Sequence, residues 1–164
     1  MYKKFEGLLQ ELKESFEHSV TEEIKDTEGG SKRHLVFLLG REVFALPVEQ
    51  LREVVIDKPI IPVPGAPPSI HGVINYRNRI LSVSSIHHIL QIPFKKPDSS
   101  YILVLGCIKF ETALLVDDLV NLITINQRDV RPKISGQRES VNRLITGGVY
   151  YRKSLVTLLD LRGI

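Results

Sequence analysis

Between residues 5 and 24 the apolar positions Phe5, Leu8, Leu9, Leu12, Phe16, Val20 and Ile24 recur every three or four residues, the period of one helical face. Glu, Lys and Gln fill the other side. The pattern predicts an amphipathic helix that ends before Gly29-Gly30, where nothing packs and positive φ is tolerated. Beyond it the texture changes to short apolar runs rich in β-branched and aromatic residues: Leu35 to Leu39, Glu42 to Leu46 and Arg52 to Ile56, with Gly40-Arg41 as a tight turn between the first two. The prolines from Pro59 to Pro68 fix φ and remove amide donors, so this stretch is an extended connector. Gly72 to Tyr76 and Arg79 to Val83 then form a hairpin about Arg77-Asn78, and Ser84 to Leu90 makes a short crossing. The second half predicts strands at Tyr101 to Cys107, Glu111 to Val116, Val120 to Ile125, Leu144 to Tyr151 and Ser154 to Leu159. The polar stretch 126–142 is the predicted mobile loop.

The order of segments repeats. A shift of 75 positions lays Tyr76-Arg77 on Tyr151-Arg152 and Ile80-Leu81-Ser82-Val83 on Leu155-Val156-Thr157-Leu158 without a gap. Upstream, Leu35 to Gly40 resembles Ile102 to Gly106, and Val48-Glu49-Gln50-Leu51 resembles Val116-Asp117-Asp118-Leu119. An ordered set of strands met twice is most simply one small β unit built twice. Five short strands per half without long helices between them predict an all-β protein of two small barrels side by side, each sheet closed on itself so that no edge is exposed.

Composition sets limits on function. The 164 residues carry 43% hydrophobic and 25% charged side chains, as a folded globular chain does. Net charge is +3 and the pI about 9.0, but the lysines and arginines are scattered, a poor pattern for nucleic acid. Aromatics are 7% of the chain, which weakens the alternative of a small-barrel nucleic-acid-binding module. Cys107 is the single cysteine, so no intramolecular disulfide forms and no metal framework is implied. No signal-type apolar core follows Met1, and no run approaches a membrane span; a cytoplasmic protein without membrane insertion is expected.

Catalytic chemistry is hard to find. His87-His88 is adjacent and lacks further ligand residues, and is expected as a surface pair. Asp117-Asp118 points to opposite faces if on a strand, so one of the two is expected to cap a turn rather than both to share an acid–base site. Ser84-Ser85 lies near His87, yet no nucleophile elbow is present, and Gly147-Gly148 has no phosphate-cradling loop. No enzyme class and no cofactor is supported. What stands out is a pair of charges among apolar residues, Glu53 and Arg77, with Asn121 where the second repeat would carry the equivalent of Glu53. A surface arginine and a functional pair both fit this pattern.

These residues carry a resemblance. Val36-Phe37-Leu38-Leu39-Gly40 with Phe44-Ala45-Leu46-Pro47-Val48, then Glu53-Val54-Val55, Ile61-Pro62-Val63-Pro64-Gly65-Ala66-Pro67, Gly72-Val73-Ile74-Asn75-Tyr76-Arg77 and Ala113-Leu114-Leu115-Val116-Asp117-Asp118-Leu119 together resemble, in order and spacing, the CheW-like family of chemotaxis coupling proteins. The resemblance covers about 33–161. It implies two five-stranded SH3-like barrels related by duplication, with an N-terminal helix and linker (1–30) added to a domain (31–164) whose subdomains run about 33–90 and 99–161, exchange of terminal strands between them allowed. It also implies a non-enzymatic adaptor that binds the regulatory domain of a chemotaxis histidine kinase and the cytoplasmic tip of a chemoreceptor, or an equivalent adaptor in a pilus or surface-motility pathway. The residues it assigns to partner binding are Val48, Glu53, Gly72, Ile74, Asn75, Arg77, Val116, Asp117 and Gly147. An apolar cleft between the barrels would then receive a receptor helix. Where the family pattern has Gly after the arginine, this chain has Asn78, the next-best residue at positive φ.

Overall fold

A computed structural model describes Gly7, Gln10 and residues 30–96, 99–106, 111–133 and 138–162. Apart from Gly7 and Gln10, the predicted helix over 5–24 lies outside the described residues, as does Cys107. In chain order the strands are β1 (Ser31–Leu39), β2 (Glu42–Pro47), β3 (Leu51–Ile56), β4 (Ile70–Tyr76), β5 (Arg79–Ser84), β6 (Tyr101–Gly106), β7 (Glu111–Val116), β8 (Asp118–Asn126), β9 (Arg131–Pro132), β10 (Ile145–Tyr151) and β11 (Ser154–Leu159). Two short helices, α1 (His87–Leu90) and α2 (Glu139–Leu144), and 3-10 turns at Val48–Gln50 and Gln127–Asp129 join them. The stretch predicted as a mobile loop thus holds a 3-10 turn, a short strand and a helix. Its polar face is solvent-directed, and Leu144 anchors the helix in the core.

The duplication is visible in the hairpins. β4–β5 and β10–β11 occupy positions 75 residues apart, as the sequence shift predicts. Both turn through two consecutive positive-φ residues, Arg77-Asn78 (49° and 62°) and Arg152-Lys153 (47° and 67°). Positive φ at both central residues is the requirement of a type I′ turn, whose twist matches the strands it joins. Each hairpin also carries a bulge, between Ile70 and Gly72 and between Ile145 and Gly147.

The two sheets do not follow the two halves. The six-stranded sheet runs β8-β1-β2-β11-β10-β9 and the five-stranded sheet β3-β6-β7-β5-β4. The first repeat therefore lends its opening hairpin β1–β2 to the second repeat's last strands, and β6–β7 makes the reciprocal move. Parallel pairings seal the exchange, β2 with β11 and β5 with β7.

This arrangement explains the continuous apolar runs. Alternate residues of β1 enter different cores: Leu35, Phe37 and Leu39 join a central cluster, whereas Val36 joins the interior of the six-stranded barrel. In β6, Leu103 and Leu105 join the same central cluster and Ile102 and Val104 the interior of the five-stranded barrel. A strand buried on both faces cannot show hydrophobic–polar alternation, because neither face meets water. The central cluster contains side chains of both sheets packed on one another at 8% exposure or less. Between the two sheets the protein's own core fills the space.

Candidate functional site

In the five-stranded barrel β3 and β4 are the two edge strands of the sheet. Side chains join them where no ladder does. Glu53 of β3 accepts a hydrogen bond from the Tyr76 hydroxyl at 2.5 Å and from Arg77 Nη2 at 2.9 Å, both on the same carboxylate oxygen, Oε2. The Arg77 guanidinium also sits 5.2 Å over the Tyr76 ring. A bulge in β3 just before Glu53 accompanies this reach, the usual effect of such an irregularity being to re-aim a side chain. Burial together with the hydrogen bond to Glu53 pushes the Tyr76 phenol up to about 12. The tyrosine belongs to the core, at 5% exposure, while the arginine side chain is 71% exposed. One carboxylate thus fixes a solvent-facing cation to a buried anchor.

The second copy lacks this closure. Tyr151 and Arg152 keep the stacked arrangement at 5.3 Å, but Asn121 stands at the place of Glu53, and its Oδ1 is buried without a hydrogen-bond donor. The registers match: Val36 faces Asn121 as Val104 faces Glu53. Between β8 and β10 the six-stranded barrel opens into a cleft of about 520 Å³.

A third cluster ties the two sheets together. Asp117, at the end of β7, accepts the Gly40 amide of the β1–β2 turn at 2.5 Å, and its carboxylate lies 3.1 Å from His87 Nε2. On the other side of the ring, Nδ1 is 2.6 Å from Ser85 Oγ, which also accepts the His87 amide at 3.3 Å. The consistent assignment has Nε2–H donating to Asp117 and Nδ1 accepting from Ser85. His87 is 1% exposed, so the expected surface pair is corrected: the imidazole is buried because a carboxylate and a hydroxyl satisfy both nitrogens. Ser, His and Asp meet here as in a hydrolase, yet Ser85 is 3% exposed and its oxygen is engaged by a backbone amide. A nucleophile that substrate cannot reach is a structural latch.

The nine residues expected at partner contacts fall into distinct places. Glu53 and Arg77 come together, and Asn75 is exposed on the same hairpin opposite Ile80, itself 77% exposed. Ile74 and Val116 are fully buried and Val48 is 6% exposed, so they pack the fold that displays the hairpin. Gly72, at φ 147°, lets the proline connector cross β4; a Cβ there would lie 2.3 Å from the Ile61 carbonyl oxygen. Gly147 does the same for β9, with the Arg131 carbonyl oxygen 2.6 Å from where a Cβ would stand. Asp117 belongs to the latch. Sequence reasoning missed Tyr76 as the link in the charge pair, although the repeated Tyr-Arg step was a signal for it. It also missed the latch: Ser85 lies two residues from His87, but Asp117, which joins them to the Gly40 amide, stands 30 residues from His87 and 77 from Gly40. Among the described residues no group of His, Cys, Asp and Glu is arranged to hold a metal.

Fold and site together define a two-sheet β scaffold that holds a hairpin with Asn75, Arg77 and Ile80 exposed. The family model of the CheW-like domain matches residues 33–164, and the chain belongs to that family of chemotaxis adaptor proteins. It is 26% identical over 114 residues to a chemotaxis protein CheW of Rhizobium meliloti, covering 69% of this chain and 74% of that one. To the CheW of Bacillus subtilis it is 25% identical over 142 residues, covering 86% and 88%. The CheW of Thermotoga maritima is 33% identical over 98 residues, covering 58% and 65%. In fold, it is similar to the scaffolding protein TtCheW from Thermoanaerobacter tengcongensis, with a TM-score of 0.71 at 24% identity over 79% of this chain and 89% of that one.

Proposed function

We propose that the protein couples a chemotaxis-type histidine kinase, through the kinase's regulatory domain, to the cytoplasmic tip of a chemoreceptor. The observation that carries this reading is the β4–β5 hairpin. It offers Asn75, Ile80 and the pinned cation Arg77 to solvent on a scaffold of the CheW-like family. A cation held in one geometry steers and selects an acidic partner at little conformational cost, and Ile80 beside it supplies apolar contact. Nucleic acid fits less well, because the rings of Tyr76, Tyr150 and Tyr151 each carry an arginine over one face, 5.1 to 5.3 Å from the centroid, which blocks stacking by bases on that side. No helix among the described residues is long and apolar enough to cross a membrane, which suits a partner that meets the receptor at its cytoplasmic end.

Arg77→Glu tests the reading. The exposed pair with Glu53 is worth only about 0.2–1 kcal/mol to folding, so the melting temperature should move by a few degrees at most. Capture of the cognate kinase and receptor fragments should fall at least about tenfold, a loss of roughly 1.4 kcal/mol in binding. Binding unchanged from wild type, or lost only in step with stability, would remove the hairpin from the interface. An oligonucleotide shift that weakens with salt would favour the nucleic-acid alternative instead.

A further inference from the structure

The open seam of the six-stranded barrel is a docking surface, and the structure points to its occupant. Where Glu53 joins the sheet edges of one barrel, Asn121 stands at the equivalent place in the other, and further along β8 a cleft of about 520 Å³ lies between β8 and β10. Ile123, Ile125 and Val149 of the barrel interior lie at its base, each 8% exposed or less, and Val130 and Tyr150 give it accessible apolar surface. Its lip carries Arg128 and Arg131, with Arg152 alongside on the β10–β11 turn and Asp129 the carboxylate among the lining residues. Among the described residues none of these three arginines has an ion-pair partner; Arg131 and Arg152 stack on Tyr150 and Tyr151 instead. A lip where three arginines outnumber one carboxylate, with Val130 and Tyr150 accessible beside it, fits an amphipathic, acidic segment.

The chain supplies such a segment itself. Residues 1–29 hold eight of the 19 Asp and Glu but four of the 22 Lys and Arg, so the rest of the chain has 18 basic residues against 11 acidic ones. The apolar stripe Phe5 to Ile24 runs through the acidic part. Attachment is at the right place: the Gly30 carbonyl accepts the Gln127 amide at 3.2 Å, and Ser31 pairs with Asn126, so the segment leaves the fold beside Arg128. From Gly30 back to Ile24 the chain can span about 20 Å, enough to lay the stripe along the cleft. Tethering makes the encounter intramolecular, which favours it over an equal but separate partner.

We propose that the acidic N-terminal segment docks in the open seam of the six-stranded barrel, its carboxylates on Arg128 and Arg131 and its apolar stripe against Val130 and Tyr150. This is independent of the coupling reading, which rests on the other barrel. The test uses the full chain with Cys107→Ser and a nitroxide on Ser15→Cys. Paramagnetic broadening is expected at the amides of Arg128 to Arg131 and Val149 to Tyr151, declining as salt is raised. Arg128→Glu with Arg131→Glu should reduce it at least about fivefold, and Glu17→Arg with Glu23→Arg on that background should restore it. Should a charge-reversed variant fail to show a dispersed spectrum, the salt titration of the unreversed protein still decides. Sharp cleft amides at low salt in the folded chain would overturn the proposal, as would binding of an added polyglutamate peptide to the cleft without displacing the segment. Broadening that arises only between differently labelled copies would overturn it in favour of a second chain.

Discussion

Tyr76 shows how one residue can belong to the core and to the surface site at once. Its ring packs with Ile74, Leu81 and Val83, while its hydroxyl carries Glu53 and, through Glu53, Arg77. Because its folded-state value of about 12 lies above the ordinary 10, the neutral phenol favours folding fully below pH 10, and that contribution disappears as pH rises from 10 to 12. Ultraviolet titration against Tyr76→Phe should show this late ionisation, and Glu53→Gln should bring it down toward 10; an unchanged titration would mean that the carboxylate does not hold the hydroxyl. Gly72 makes the second point. Gly72→Ala meets the Ile61 carbonyl in a strained conformation, whereas Gly148→Ala meets a movable Leu155 methyl at 3.2 Å. Urea unfolding should find the first about 2 kcal/mol costlier than the second.

Among the elements, the contact that matters most is the latch, in which the end of β7 holds the β1–β2 turn and the start of α1. Asp117→Ala leaves the Gly40 amide and the buried His87 nitrogen without partners, and should cost about 2–3 kcal/mol in urea unfolding. Asp117→Asn keeps an acceptor for Gly40 and should lose less. Equal and small losses for both would show that the junction stands on its apolar packing alone. The hairpins at positions 75 apart were legible in the sequence because the Tyr-Arg step and the apolar strands after it recur at that shift, although three of the four positive-φ turn residues, Arg77, Arg152 and Lys153, are not types that favour such a turn. The latch was not, since the nearby Ser85 does not bury His87 without Asp117, which comes to it from 30 residues away.

For the molecule as a whole, the exchange of β1–β2 for β6–β7 links the two barrels into one folding unit. Residues 31–96 contain two strands of one sheet and three of the other, so that piece should be unfolded alone by circular dichroism and gain structure when mixed with 97–164. A folded, monomeric 31–96 fragment would contradict the exchange. The intact protein should unfold in one transition, because the central cluster is shared by both sheets. The sequence by itself determined the strand content, the repeat and the turn positions, all of which depend on local pattern, and singled out Glu53 and Arg77 as charges among apolar residues without pairing them. Tertiary structure decided which repeat each strand serves, that a shared core packs between the sheets, and that one barrel joins its edge strands through a carboxylate while its copy holds an unsatisfied Asn121 at that place. Those outcomes depend on pairing between residues far apart in the chain, as when Glu53 takes the Tyr76 hydroxyl and Arg77 across the β3 and β4 edges while Asn121 at the equivalent place stays unsatisfied.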